Sequence, residues 1–339
     1  MSKHASFFFP RLLFIAVFVF SLVPFQVFAE NPVFVPAISK QDMDLAARSG
    51  STLLPKYREL PERLLHLVPR DQQGLVPSPL IVGGSTASRG EFPEFTQVWL
   101  YNPQDGFVYG ICGGTLIASN KVLTAAHCAA ELTNLYYTTP GFYTFEDELT
   151  AGDFYALSGK NQHPQYNSST ADYDIAIFTL SRNANTAKAS IYGGVKSLAG
   201  QTSTVIGTGL LSTSSNAIPP TLQKVNTPIV TNSICNIYTV PITARMICAG
   251  YSNNGLGPCN GDSGGPLWTQ INGQRTQIGT VSFGPQTCET PGAYSVYART
   301  SALVSFIRQY APSAVIITDS PPSSVGFLPA VYLITILTD

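Results

Sequence analysis

The sequence predicts an all-β barrel or sandwich closed by one short helix, and three observations carry that reading. From Ile81 onward the chain is built of short runs rich in Val, Ile, Thr, Tyr and Phe, namely FTQVWL, KVLTAA, DIAIFTL, STVIGTG, RTQIGTVSF and AYSVYA. Gly, Pro, Asn and Ser separate them, the punctuation of strands joined by turns. No long helical pattern alternates with these runs, which argues against parallel sheets covered by helices. Only ARTSALVSFIRQYA, ending near Ala314, reads as a helix.

The segments before and after this region differ in texture. Lys3 and Arg11 precede LLFIAVFVFSLVPF, and VFA ends at Ala29. That order of charge, apolar run and small residues is a secretory signal over residues 1–29. A retained membrane anchor is the alternative, but Pro24 and Gln26 interrupt the apolar run before it is long enough to span comfortably. Residues 30–80 are Pro-punctuated, lack cysteine and concentrate charge (KYRELPERLLHLVPRDQQ), so they form a separate segment. After the region 81–314 comes a tail, 315–339, in which TDSPPSS precedes the apolar GFLPAVYLITILT. A glycolipid-anchor signal needs a longer polar spacer than this, so an extra packed strand or an irregular tail is expected.

Composition narrows the function classes. Apolar residues make up an ordinary 44% of the 339-residue chain, but charged residues only 12%, about half the usual share. With 19 Lys+Arg against 20 Asp+Glu the net charge is -1, and no basic run could neutralise a row of phosphates. Nucleic acid is therefore not an expected partner. All six cysteines, Cys112, Cys128, Cys235, Cys248, Cys259 and Cys288, lie beyond residue 110, and an even count in an exported chain argues for disulfides. None has zinc spacing, so neither a metal nor another cofactor is expected.

CNGDSGGPLW, Cys259 to Trp268, is poor helix and poor strand, and reads as a tight turn presenting Ser263. Gly261, Ser263 and Gly265 also fit the G-x-S-x-G elbow of α/β-hydrolases. Upstream stand LTAAHC with His127 and ADYDIAIFTL with Asp174. A lone histidine is more often structural, and an aspartate before a strand is usually a cap. In the order IVGG, AAHC, DIAI, GDSGGP, however, the chain resembles the chymotrypsin-like (trypsin-like) serine proteases over residues 81–314. The hydrolase order, with histidine last, does not match.

The resemblance implies two six-stranded antiparallel β-barrels with a short C-terminal helix, and a Ser-His-Asp triad. His127 would take the proton of Ser263, and Asp174 would fix its tautomer and stabilise the imidazolium. Asp172 is the alternative acid, but only Asp174 directly precedes the apolar strand. The backbone N–H groups of Gly261 and Ser263 would form the oxyanion hole. Asp262 needs a cation, because a buried carboxylate is costly unpaired. The family supplies it by cutting before IVGG, which frees the α-amino group of Ile81. Residues 30–80 would then be an activation segment, and the bond cut follows Leu80.

Family pairing joins Cys112 to Cys128, Cys235 to Cys248, and Cys259 to Cys288. Gly257, six before the serine, falls at the pocket base where an acid would select Arg and Lys. Gly284 and Gly292 match wall glycines, and Ser282 would meet the substrate backbone. Such a pocket favours large apolar side chains, and Leu80 would suit it, so self-activation is coherent. Two departures bear on specificity: the usual G-W-G is Gly207-Thr208-Gly209 here, and Glu289 near the rim could admit a basic residue. Asn167 opens NSS, a glycosylation acceptor, in a loop that the resemblance would place beside the cleft. The expected partners are protein or peptide substrates and protein inhibitors of proteases, the expected state is a monomer, and the expected location is extracellular. A catalytically silent relative acting as a binding module is the competing reading.

Overall fold

The computed structural model describes residues 81–101, 108–129, 135–145, 147, 153–213 and 219–319. The expected signal segment, the activation segment 30–80 and the tail from 320 lie outside the described residues.

Fifteen strands form among the described residues: β1 Ser85–Thr86, β2 Phe95–Tyr101, β3 Val108–Ala118, β4 Lys121–Thr124, β5 Leu135–Pro140, β6 Tyr155–Gln162, β7 Ala176–Leu180, β8 Ser190–Tyr192, β9 Thr202–Gly207, β10 Gln223–Val230, β11 Met246–Ala249, β12 Pro266–Ile271, β13 Gln274–Phe283, β14 Ser295–Arg299 and β15 Val315–Ile317. The first barrel closes in the order β2-β3-β4-β7-β6-β5. The second runs β12-β9-β10-β11-β14-β13 and closes by pairing β13 with β12. Both rings are antiparallel throughout, so the two six-stranded barrels are present. Parallel pairing occurs only outside the rings, where β8 joins β13 on one side and β15 on the other.

Side-chain alternation explains the barrels locally. Along β10, Gln223, Val225, Thr227 and Ile229 point inward while their neighbours are more exposed, the two-residue period of a half-buried strand. Aromatic residues fill the first barrel's end: Trp99 packs edge-on against Phe145 at 5.7 Å and tilts over Phe154 at 5.8 Å. Burying such aromatic surface is what lets short strands persist.

Near the C-terminus the helix opens later than the sequence predicts, and an extra strand follows it. Ala298 and Arg299 end β14 instead of opening the helix. A 3₁₀ turn at Thr300–Leu303 then leads into α2, Val304–Tyr310, with a one-turn α1 at Asn232–Cys235 earlier in the chain. The chain also continues in regular structure past Ala314. The Asp319 carboxylate then accepts hydrogen bonds from the Val195 N–H at 2.7 Å, the Lys196 N–H at 3.1 Å and the Tyr192 hydroxyl.

The barrels meet along a polar seam. Gly113 N–H in β3 donates to the Ser263 carbonyl at 2.7 Å, and Thr208 Oγ1 donates to Gln97 Oε1 at 2.6 Å. A Cβ on Gly113 would lie 2.7 Å from the Gly265 Cα, so only glycine permits this approach.

Candidate active site

His127 stands at the end of LTAAHC, where β4 runs out into a 3₁₀ turn, His127–Ala129. The disulfide between Cys128 and Cys112 ties that turn back to β3. Asp174, two residues before β7, reaches the same place from the other side. Its Oδ1 accepts the His127 backbone N–H at 2.9 Å, and its Oδ2 lies 2.7 Å from His127 Nδ1. The Ser282 hydroxyl donates to the same Oδ2 at 2.5 Å.

The carboxylate is 1% exposed. Burial pushes its pKa up, but the His127 ring, the Ser282 hydroxyl and the His127 amide together hold it below the usual carboxylate range. An ionised acceptor on Nδ1 puts the ring proton there and leaves Nε2 as the basic nitrogen, an assignment made from the hydrogen-bond network.

Ser263 comes from the second barrel. Its turn is held by Asp262 N–H to the Cys259 carbonyl at 3.0 Å, Gly265 N–H to the Asp262 carbonyl at 2.9 Å, and Gly264 N–H to the Val281 carbonyl at 2.9 Å. Gly261 has φ +94° and Gly264 φ +77°, and a side chain at 264 would strike Thr124 Oγ1 at 2.2 Å. Glycine is therefore required on both sides of the Asp262-Ser263 pair.

Asp262 is fully buried. Its Oδ1 accepts the Gly209 N–H at 2.7 Å and its Oδ2 the Cys259 N–H at 2.8 Å. A Cβ on Gly207 would come within 2.0 Å of this carboxylate, and one on Gly209 within 2.6 Å of the Asn260 carbonyl. The Gly207-Thr208-Gly209 departure thus keeps the two glycines the carboxylate needs. Ile81 is also 0% exposed, packed in the second barrel's core with Val205, Leu267 and Tyr297. Its φ is +38°, an outlying conformation for a β-branched residue. Gly257 N–H reaches the Val82 carbonyl at 3.4 Å, which draws IVGG alongside the Gly257 segment.

Beside Gly257 stands a residue that the sequence reading did not name. The residue facing it is Ser295. A Cβ on Gly257 would sit 3.1 Å from Ser295 Oγ, and one on Gly284 would sit 3.7 Å from the same atom. Gly292 has φ +75°, and a Cβ there would lie 3.1 Å from the Ser252 carbonyl. Glu289 is already engaged, since its two oxygens accept the Thr213 N–H at 2.9 Å and the Thr213 hydroxyl at 2.7 Å.

Tyr297, beneath Ser295, is fully buried, and burial pushes its phenol far up. Asn167 is exposed, with its Oδ1 accepting the Ser169 N–H at 2.9 Å. Cys235 pairs with Cys248 and Cys259 with Cys288, which completes the three bridges. Cys112, His127 and Cys128 cluster closely enough to resemble a metal site, but both sulfurs are consumed by their disulfide.

A two-barrel fold with a histidine and aspartate on one barrel and a glycine-framed serine on the other defines a class of hydrolases, and comparison with known proteins gives the family. The Trypsin family profile matches residues 81–307, and the chain belongs to this family of serine proteases. It is 33% identical over 220 residues to trypsin of Xenopus laevis, covering 63% of this chain and 85% of that protein. It is 31% identical over 235 residues to transmembrane protease serine 9 of Rattus norvegicus, covering 68% of this chain and 22% of that protein. Serine protease filzig of Drosophila melanogaster is 31% identical over 246 residues, which are 69% of this chain and 14% of that protein. The chain thus spans only a small part of the two longer relatives.

Two side chains of the site escaped the sequence reading in their roles. The Ser282 hydroxyl supports Asp174, whereas the sequence reading gave Ser282 only a pairing with the substrate backbone. Ser295, two residues before Tyr297 on β14, shares a face with it, and the small polar residue among apolar neighbours in AYSVYA was its signal.

Proposed function

We propose that this chain is a secreted serine endopeptidase, made as a precursor and activated by cleavage after Leu80. The hydrogen-bonded line from Ser282 through Asp174 to His127 carries the reading, because it fixes the imidazole tautomer that a serine nucleophile needs. Ser263 Oγ attacks the substrate carbonyl and forms a C–O bond while its proton passes to His127 Nε2. The oxyanion is held by the N–H groups of Gly261 and Ser263, where losing one donor typically costs about a hundredfold or more in rate. The C–N bond then breaks, His127 returns the proton to the leaving amine, and water repeats the sequence on the acyl-enzyme.

With Leu80 attached, Ile81 is held in a left-handed conformation unfavourable to a β-branched residue. Cleavage releases that restraint and creates the ammonium group that pairs with Asp262. Activity should therefore fall on the acid side as His127 becomes charged, and on the alkaline side as Ile81 loses its proton. The uncharged Gly257 base and the engaged Glu289 favour apolar side chains before the cut bond.

The sequence-based signal segment supports secretion. Among the described residues no helix is long and apolar enough to cross a membrane. The test is digestion of a mixed peptide library by protein processed to begin at Ile81. Cutting after Leu, Met, Phe or Tyr that disappears in Ser263→Ala is expected. Absence of cutting by correctly processed protein would overturn the reading in favour of a silent binding module.

A further inference from the structure

The loop that delivers Asp174 is not held by its own barrel alone. Asp172, two residues earlier, is gripped by the second barrel. Its Oδ1 accepts Arg245 Nε at 2.9 Å and Thr243 Oγ1 at 3.0 Å, and its Oδ2 accepts Arg245 Nη2 at 2.5 Å. The fork is bidentate, the geometry in which an arginine–carboxylate pair is both strong and directional. The same guanidinium lies 4.4 Å over the Tyr173 ring, which stacks on His163 at 4.5 Å, and His163 in turn meets Phe306 of α2 at 4.8 Å. Arg245 is itself fixed, since its carbonyl accepts the Arg299 N–H of β14 at 2.7 Å.

The loop would not hold this shape unaided. Ala171 has φ +53° and Tyr173 φ +57°, so both neighbours of Asp172 sit in the left-handed region that residues with side chains disfavour. Such conformations persist only where the surroundings over-determine them. The contacts from Thr243, Arg245, His163 and Phe306 do so here. Asp174 follows Tyr173 directly, so a relaxed Tyr173 would move the carboxylate that His127 and Ser282 share.

We infer that the Asp172–Arg245 pair is an inter-barrel clamp that positions Asp174, making both residues positioning residues for the reaction proposed above. The inference rests on that proposed activity for its kinetic test, and a spectroscopic test stands apart from it. Misplacing a catalytic group by about 1 Å can cost about a hundredfold. The partial loss of restraint in Arg245→Ala should therefore lower kcat on a short chromogenic substrate about tenfold, with KM changed less than about threefold. In the same folded variant, the low-field proton resonance of the His127 Nδ1–H···Asp174 bond should broaden or vanish.

Arg245→Lys, which keeps the charge without the fork, should lie between the two. The exchanged pair Asp172→Arg with Arg245→Asp should recover part of kcat relative to either single change. A folded Arg245→Ala protein with unchanged kcat and an unchanged His127 resonance would overturn the clamp. A rise in KM alone would also overturn it, by making the segment a substrate contact. If the processed wild type cut nothing, the protease reading would fail while the resonance still decided the clamp.

Discussion

Removing one hydroxyl, Ser282→Ala, isolates how the buried acid is kept ionised. Asp174 is 1% exposed and takes its shortest hydrogen bond, 2.5 Å, from Ser282. A hydrogen bond to a charged group is worth about 1.5–3 kcal/mol, and leaving a buried carboxylate short of a donor forfeits most of it. For a domain of this size each kcal/mol moves Tm by about 2–4 °C, so the variant should melt about 3–12 °C lower at pH 7. The sign with pH follows from the direction of the Asp174 shift. Its native pKa is depressed, so the stability it contributes is present above the unfolded value of about 3.9 and is lost as pH falls through the native value.

Because Ser282 is one of the groups that depress it, the difference between wild type and variant should shrink as pH drops below about 4. Thermal unfolding followed by circular dichroism between pH 7 and pH 3 measures both quantities. A Tm difference that stayed constant across that range, or was absent at pH 7, would refute the idea that Ser282 serves the charge on Asp174.

Three further outcomes are expected. Ser295→Gly should widen the slot between Gly257 and Gly284 and raise kcat/KM for Phe or Tyr relative to Leu about tenfold; paired chromogenic substrates read the ratio, and an unchanged ratio would remove Ser295 from the pocket. Replacing Cys259 and Cys288 together by Ala opens a bridge with sequence separation 29 and should lower stability by about 3–4 kcal/mol in the chain-entropy model, measured by urea unfolding. Ending the chain after Ala314 deletes β15 and the Asp319 contacts to Val195 and Lys196. That truncation should lower Tm, read by differential scanning calorimetry, and an unchanged Tm would remove β15 from the fold's support.

The strands that were legible are those whose residues speak for themselves. FTQVWL, DIAIFTL and RTQIGTVSF carry β-branched and aromatic residues in sufficient density to read as β2, β7 and β13 without context. β3 hides behind Gly113-Gly114, which local propensity counts against a strand. Those glycines are there because β3 passes within contact of the Ser263 turn and of β2 and β4 side chains. β6, YALSGKNQ, and β10, with Pro228, are polar or proline-broken and are held in place by pairing with their neighbours. Their identity is a property of the sheet, which no window of the sequence contains.

The same distinction explains the candidate site. His127, Asp174 and Ser263 stand in motifs whose spacing is fixed by the turns they occupy, so their positions survive translation into sequence order. The pocket wall does not have that protection. Which residue of β14 stands beside Gly257 is set by the register of β14 against β13, where Val281 faces Tyr297 and Phe283 faces Val296. That register, with its irregularity between Val281 and Phe283, carries Ser295 up to Gly257. Asp172 shows the converse. Beside Asp174 it looked like a spare acid, and its use became visible only with Arg245, 73 residues away in the other barrel. A residue whose partner is distant in sequence has no local signature, so its role in holding the site emerges only when the two barrels are brought together.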